Sequence, residues 1–273
     1  MMDKSAIEQI QKHVVADALN NNINLQETLV PVLAIPNDFE IESLEQFYPN
    51  RARFRGRFET NHIEDFVKYT REGGGHCFVD PEGMCAKSIM DLGTVEKPGH
   101  ARHTARLTLK KTTPLADLLR IDGMHGTQQG IAEWLEDWRD ILRAEDSAGK
   151  EIEIKDAIGA IRKITIATAR ESEHATQSLS QSRSTMEKIE AKSKNANMPA
   201  FFYFTCTPYE QLQEREFMLR LSIITTGDTI GLKLRIAKLE AIKEEVAEEF
   251  RDKLLEELDA SNTEIYIGTF NAL

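Results

Sequence analysis

Apolar residues recur every three or four positions near the start of the chain, at Ile7, Ile10, Val14 and Ala18, a spacing that aligns them on one stripe of an amphipathic helix. Ser5 with Glu8 reads as the capping box that opens this helix, and the asparagines at 20–22 close it. The apolar run at 29–35 is interrupted by Pro31 and closed by Pro36, which suits a strand at a sheet edge, and 41–47 reads as a short helix.

From 52 the period changes. Residues 52–59 alternate as a strand, Asn61 with Glu64 caps a helix that runs to Arg71, and the glycines at 73–75 end it. Strands follow at 76–80 and 84–92, joined through Pro81, Glu82 and Gly83, and a longer one at 101–111. Helical spacing then returns at 114–120 and at 127–142, where Ile131, Trp134, Leu135, Trp138, Ile141 and Leu142 share a side, and again at 155–170. Between 171 and 197 apolar residues thin to Leu179, Met186 and Ile189, so this stretch reads as a polar arm toward another subunit or as an exposed connector.

Strand patterns resume at 200–207, 215–225 and 229–237, with Gly227 and Asp228 at the turn between the last two. Over 239–258 the residues Ile242, Val246, Phe250, Leu254 and Leu258 keep helical spacing while Glu244, Glu245, Glu248, Glu249, Glu256 and Glu257 crowd the remainder, and 264–270 closes as a strand. The expected fold is α+β: two mostly antiparallel sheet regions joined by a long helical segment, with flanking amphipathic helices. The expected layout is an N-terminal helix over 1–28, a first α+β region over 29–150, a helical connector or arm over 151–198, and a second α+β region with the acidic helix over 199–273.

Length and composition narrow the classes. A chain of 273 residues, 41% hydrophobic and 29% charged, buries a core without disulfides or metals. The net charge of -11 argues against a surface that coats nucleic acid or an anionic membrane as a whole, so any anion site must be local. Cys77, Cys85 and Cys206 form no CxxC pair, which points to a reducing compartment. No apolar run approaches membrane-spanning length and the N-terminus has no signal-peptide core, so the expected location is the cytoplasm, with no membrane partner.

One charge pattern stands out against this acidic background. Arg51, Arg53, Arg55 and Arg57 alternate with Ala52, Phe54, Gly56 and Phe58, which on a strand puts the arginines on one face. Arg102, Thr104, Arg106, Thr108 and Lys110 alternate likewise, and Lys233 with Arg235 more briefly. Neighbouring cations on such a face lie about 7 Å apart and repel by roughly 0.6 kcal/mol in water and about 2.4 kcal/mol at an effective dielectric of 20. The row therefore wants anions. Phosphates match the guanidinium fork, with threonine hydroxyls as further donors; carboxylates of the acidic helix or of a neighbouring subunit are the other source. The candidate anion-binding set is Arg51, Arg53, Arg55, Arg57, Arg102, Arg106 and Lys110.

Catalytic apparatus is not visible: the chain has no P-loop, GxGxxG, GxSxG or HExxH motif, and GGGH at 73–76 reads as a helix terminator. His76, Cys77, Cys85, His100 and His103 match no zinc spacing, and the cysteines read as small core residues, so neither metal nor cofactor is expected. Trp134 and Trp138, four apart on a helix, read as core or interface.

The stretches VPVLAIPNDFEIESLEQF, RARFRGRFETNHIEDFVKY, CFVD and HARHTARLTLKKT resemble the YfdQ-like family of phage and prophage proteins, a family of unknown function. The resemblance spans nearly the whole chain. It implies a virus-derived protein of the host bacterial cytoplasm, in a setting that commonly serves DNA metabolism, recombination or evasion of host defence, and it brings no catalytic residues. Together the readings predict a non-enzymatic, homo-oligomeric phage accessory protein that binds nucleic acid or a nucleotide through its arginines. The alternative is a self-assembling ring or shell in which the same arginines meet the acidic helix of a neighbour.

Overall fold

A computed structural model describes residues 3–22, 44–51, 53–165, 198–226, 229–259 and 262–271. The chain divides into two compact units, 1–54 and 55–273. In the first, α1 (Lys4–Asn22) and a 3-10 turn (Leu44–Phe47) are the described elements. The Asp3 carbonyl accepts from Ile7 N–H (3.2 Å) and its carboxylate from Ser5 Oγ (2.8 Å), so Asp3 holds the helix entry in place of the expected Ser5–Glu8 box. The strand expected at 29–35, the polar arm at 171–197 and the turn at 227 and 228 lie outside the described residues.

The second unit is α+β, with two sheets. The first sheet is mixed and five-stranded, in the order β1-β4-β3-β2-β11: β1 (Gly56–Thr60), β2 (Gly75–Asp80), β3 (Cys85–Ile89), β4 (His103–Thr108) and β11 (Thr263–Ile267). The meander β2–β3–β4 is antiparallel, and the edge strands β1 and β11 run parallel to β4 and β2. Alternation sorts its side chains: Cys77, Val79, Ala86, Ser88, Ala105 and Leu107 are buried on one face. That face is covered by α2 (Ile63–Gly73) through Ile63, Phe66, Val67 and Thr70, and by the last helix (Leu239–Asp259) through Val246, Phe250, Leu254 and Leu258. Gly75, at φ +94°, lets β2 approach β3, since a Cβ there would sit 2.4 Å from the Ile89 carbonyl oxygen.

The second sheet is antiparallel and six-stranded, in the order β5-β10-β9-β8-β6-β7: β5 (His125–Gly126), β6 (Leu142–Glu145), β7 (Glu151–Ile152), β8 (Phe201–Cys206), β9 (Arg215–Thr226) and β10 (Thr229–Ile236). Its buried face carries Ala144, Ile152, Phe202, Phe204, Phe217, Leu219, Leu232 and Leu234. Helices α3 (Thr113–Ile121), α4 (Gln128–Asp137) and α5 (Ile154–Arg162) supply apolar residues to the same core. Trp134 and Trp138 both face Phe204 (5.7 and 5.6 Å between ring centroids). Both donate their indole N–H to Asp117 Oδ2 (2.8 Å each), so buried Trp134 and half-buried Trp138 each keep a partner for the polar edge. The helix Leu239–Asp259 is α6 in chain order.

Several expected bounds shift. The strand at 52–59 starts at Gly56, and 101–111 contracts to His103–Thr108, because the Asp91 carboxylate takes the backbone N–H of Arg102 (3.1 Å) and His103 (2.8 Å) and sets where pairing begins. His62, not Asn61, precedes α2 as its cap residue, and the Ile63 N–H is instead met by Gln211 Oε1 at 2.7 Å. The helix at 127–142 ends at Asp137, and Leu142 opens a strand, because the chain turns there to pair with β8. The sheets also exchange segments: β11 joins the first sheet, and β5, β6 and β7 join the second. Loop 207–213 ties them together, since its carbonyls at Thr207 and Pro208 accept from Thr112 (2.6 and 3.1 Å) and its Gln213 N–H donates to Glu249 (2.7 Å). Among the described residues no helix is long and apolar enough to cross a membrane.

Candidate functional site

Among the described residues of the second unit the helices cover one face of the five-stranded sheet and none lies on the other, where Ile89 is fully buried and the remaining side chains are partly or well exposed. Strand register fixes what the open face presents. Glu59 pairs with Arg106, Arg106 with Lys87, Lys87 with Phe78, and Phe78 with Tyr266, so one row crosses all five strands. Beside it Arg57, Thr104, Ile89, His76 and Glu264 form a second row. The face is thus divided: cations stand over β1, β4 and β3, and aromatic rings over β2 and β11.

The aromatic half is ordered by stacking. Phe78 lies 5.3 Å from Tyr266 at an interplanar angle of 18°, and His76 lies 6.1 Å from Tyr266 at 15°. Tyr266 is 45% exposed. Past β11 the chain turns over the face: Gly268 N–H donates to the Val79 carbonyl (2.7 Å), and Phe270 stacks on Phe78 at 4.7 Å and 16°. The Phe270 carbonyl accepts from Lys87 Nζ at 3.3 Å. An aromatic ring from the tail therefore rests on the platform while an oxygen beside it meets the nearest cation.

Carboxylates on this face are engaged. Glu59 pairs with Arg57 on its own strand, and Glu264 accepts from Tyr266 Oη (2.7 Å) and lies 3.4 Å from His76 Nε2. Asp80 accepts from Gly83 N–H (3.1 Å) and lies 3.8 Å from Cys85 Sγ. Its charge, together with the larger effect of burial, pushes the Cys85 thiol up, against a smaller opposing pull from Arg106. Arg106 and Lys87 are left without a carboxylate ion pair among the described residues. Beside Arg106 an open cleft of about 470 Å³ is lined by Glu59, Thr60, Asn61 and Thr108. A cleft of similar volume between α6 and β11 is lined by Leu255, Glu256, Asp259, Thr263 and Ile265, and its two carboxylates make it unsuited to anions.

Within the second unit, members of the expected basic set lie on β1 and β4 or next to them. Arg57 and Arg106 stand on the open face, and exposed Arg102 and Lys110 flank β4 at its two ends. Arg51, Arg53 and Arg55 precede the strand, so the expected row of four on one strand face does not form; Arg51 and Arg53 fall in the first unit. Lys233 and Arg235 are on β10 of the other sheet. The acidic helix does not neutralise the open face: its Glu249 pairs with Arg215 (2.7 Å) and its Glu257 with Arg71 (3.5 Å).

The sequence pattern does not point to Lys87, Phe78, Tyr266 and Phe270 as site residues, and it offers His76 only among possible metal ligands. The usable signal was the alternation of His76, Phe78 and Asp80 against buried Cys77 and Val79. Of the residues weighed as metal ligands, Cys77 is buried, Cys85 faces the open side, and His103 turns toward α2, where its Nε2 lies 3.1 Å from Tyr69 Oη. Among the described residues no three His, Cys, Asp or Glu side chains converge as a metal site.

By its sequence the chain belongs to the family of uncharacterized conserved proteins designated DUF2303, whose family model matches residues 3–270. No curated protein and no solved structure matches it.

Proposed function

We propose that this DUF2303 protein binds single-stranded nucleic acid on the open face of its five-stranded sheet. The observation that carries the reading is the register row Arg106, Lys87, Phe78 and Tyr266. Proteins that hold single strands combine cations that follow the phosphates with aromatic rings on which bases stack, and an exposed sheet is a common platform for both. Here the two halves adjoin, and both cations lack a carboxylate partner among the described residues. The tail imitates such a ligand in miniature, with a ring on Phe78 and an oxygen on Lys87.

The overall charge of -11 fits local binding sites better than general attraction. With the resemblance to phage and prophage proteins, the reading makes this an accessory factor of that type, acting on nucleic acid in the host bacterial cytoplasm without chemistry of its own.

The test is fluorescence anisotropy with a labelled oligodeoxythymidine, comparing wild type with K87E/R106E. The double variant is expected to bind about tenfold more weakly or worse, since two phosphate contacts become repulsions. Equal affinity would end the proposal.

A second reading, association with further copies of the chain, is favoured by one feature. Glu240, Glu244, Glu248, Asp252 and Glu256 form an exposed acidic stripe at four-residue spacing along α6. Like charges at that spacing disfavour an isolated helix, and a basic partner surface relieves them. Light scattering on wild type and on E244K/E248K distinguishes this reading, which expects a loss of mass in the variant.

A further inference from the structure

The outer face of the six-stranded sheet carries a second group of cations. Across β5, β10 and β9 the register sets His125 opposite Lys233, Lys233 opposite Ser222, and Arg235 directly opposite Arg220. Leu232, Leu234, Ile236 and Leu219 alternate with them and are buried, so the basic side chains point away from the core. Arg220, Arg235 and His125 are exposed, and Lys233 is half-buried.

Another cation on this face shows the contrast. Arg143, on β6, pairs with Glu145, lies 3.5 Å from Glu216 and sits 4.0 Å over the ring of Tyr203. It is a structural cation with its own counter-charges. Arg220, Lys233 and Arg235 have no carboxylate partner among the described residues, and two guanidiniums directly opposed on neighbouring strands repel.

From this arrangement we infer that Arg220, Arg235 and Lys233, with Ser222 and His125 beside them, form a second contact site for the phosphodiester backbone of a polynucleotide. Phosphate oxygens fit the guanidinium forks and bring negative charge between two groups that otherwise repel. An extended strand surface suits a polymer, which can cross three β-strands and meet each cation in turn. The carboxylate stripe of another copy's α6 fits less well, because Lys243 and Arg251 already pair with its Glu240 (2.9 Å) and Asp252 (2.8 Å). The inference shares its ligand class with the proposed function but rests on residues of the other sheet.

The experiment titrates labelled oligodeoxythymidine at several salt concentrations into the full chain, as wild type, R220E/R235E, R220Q/R235Q and K87E/R106E. Reversal at 220 and 235 is expected to weaken binding about tenfold and to lower the slope of log affinity against log salt by about 1.4, at about 0.7 per phosphate contact. The glutamine pair is expected to lower the slope equally while melting no earlier than wild type, because it removes a repulsion. Unchanged affinity and slope in both variants overturns the inference, as does a change of mass by light scattering with oligonucleotide binding intact. Loss confined to K87E/R106E leaves the proposed function standing without the second site; loss confined to the arginine pair does the reverse. A wild-type chain that binds no oligonucleotide removes both.

Discussion

Replacing Asp117 by alanine removes the acceptor that two tryptophans share. Asp117 Oδ2 takes both indole N–H groups at 2.8 Å, while Oδ1 accepts from Arg120 Nε at 2.9 Å. Trp134 is buried and Trp138 half-buried against Phe204, so in the variant each indole loses its partner in a place that water reaches poorly. A buried donor left unsatisfied costs about 1–3 kcal/mol. Taking about 2 kcal/mol for Trp134 and about 1 kcal/mol for the wetter Trp138 gives a loss of about 3 kcal/mol, or roughly 6–12 °C in Tm for a unit of this size.

The same site adds a pH signature. Burial pushes the Asp117 carboxyl up, but hydrogen bonds from Trp138, Arg120 and Trp134 and the charge of Arg120 together outweigh it and hold the group below its ordinary range. A carboxylate lowered on folding stabilises the fold above its unfolded pKa of about 3.9, and that contribution is lost as pH falls through the folded value. The gap between wild type and D117A should therefore be full at neutral pH and narrow below about pH 4. Urea unfolding followed by tryptophan emission measures it. A gap under about 1 kcal/mol at neutral pH, or one that widens on acidification, refutes the account of this cluster.

The tail that covers Phe78 should act as a competitor. Phe270→Ala removes a stacked ring worth about 0.5–1.5 kcal/mol, so oligonucleotide affinity is expected to rise about two- to tenfold; a fall would instead make Phe270 part of the platform. Thiol labelling provides an independent check on the packing. Burial pushes Cys77 and Cys206 up to about 12, the latter with help from Glu214, whereas Cys85 is half-exposed on the open face. Iodoacetamide at mildly alkaline pH should modify Cys85 first and the other two only on unfolding, and equal rates for all three would contradict the packing described.

The α+β class was legible because periods of two and of three to four residues are written locally. The stripe Val246, Phe250, Leu254 and Leu258 predicts α6, and alternation at 201–206 predicts β8. Strand ends were less legible, because partners remote in sequence set them: Asp91 decides where β4 begins, and pairing with β8 draws Leu142 out of the helical pattern. The site was only half visible for the same reason. Basic alternation near Arg57 and Arg106 could be read directly, but Lys87 and the aromatic half required the register of β3 with β4 and of β11 with β2. Arg51, Arg53 and Arg55 precede β1, and alternation assigns a shared face only where a strand forms.

The most direct measurement of the central claim is the salt dependence of oligodeoxythymidine binding to the wild-type chain and to K87E/R106E. The open-face account predicts measurable binding by wild type and a slope of log affinity against log salt that falls by about 1.4 in the variant, as two phosphate contacts are lost. Superimposable titrations would contradict it, and a wild type that binds no oligonucleotide at any salt would leave the row of cations and rings without this function.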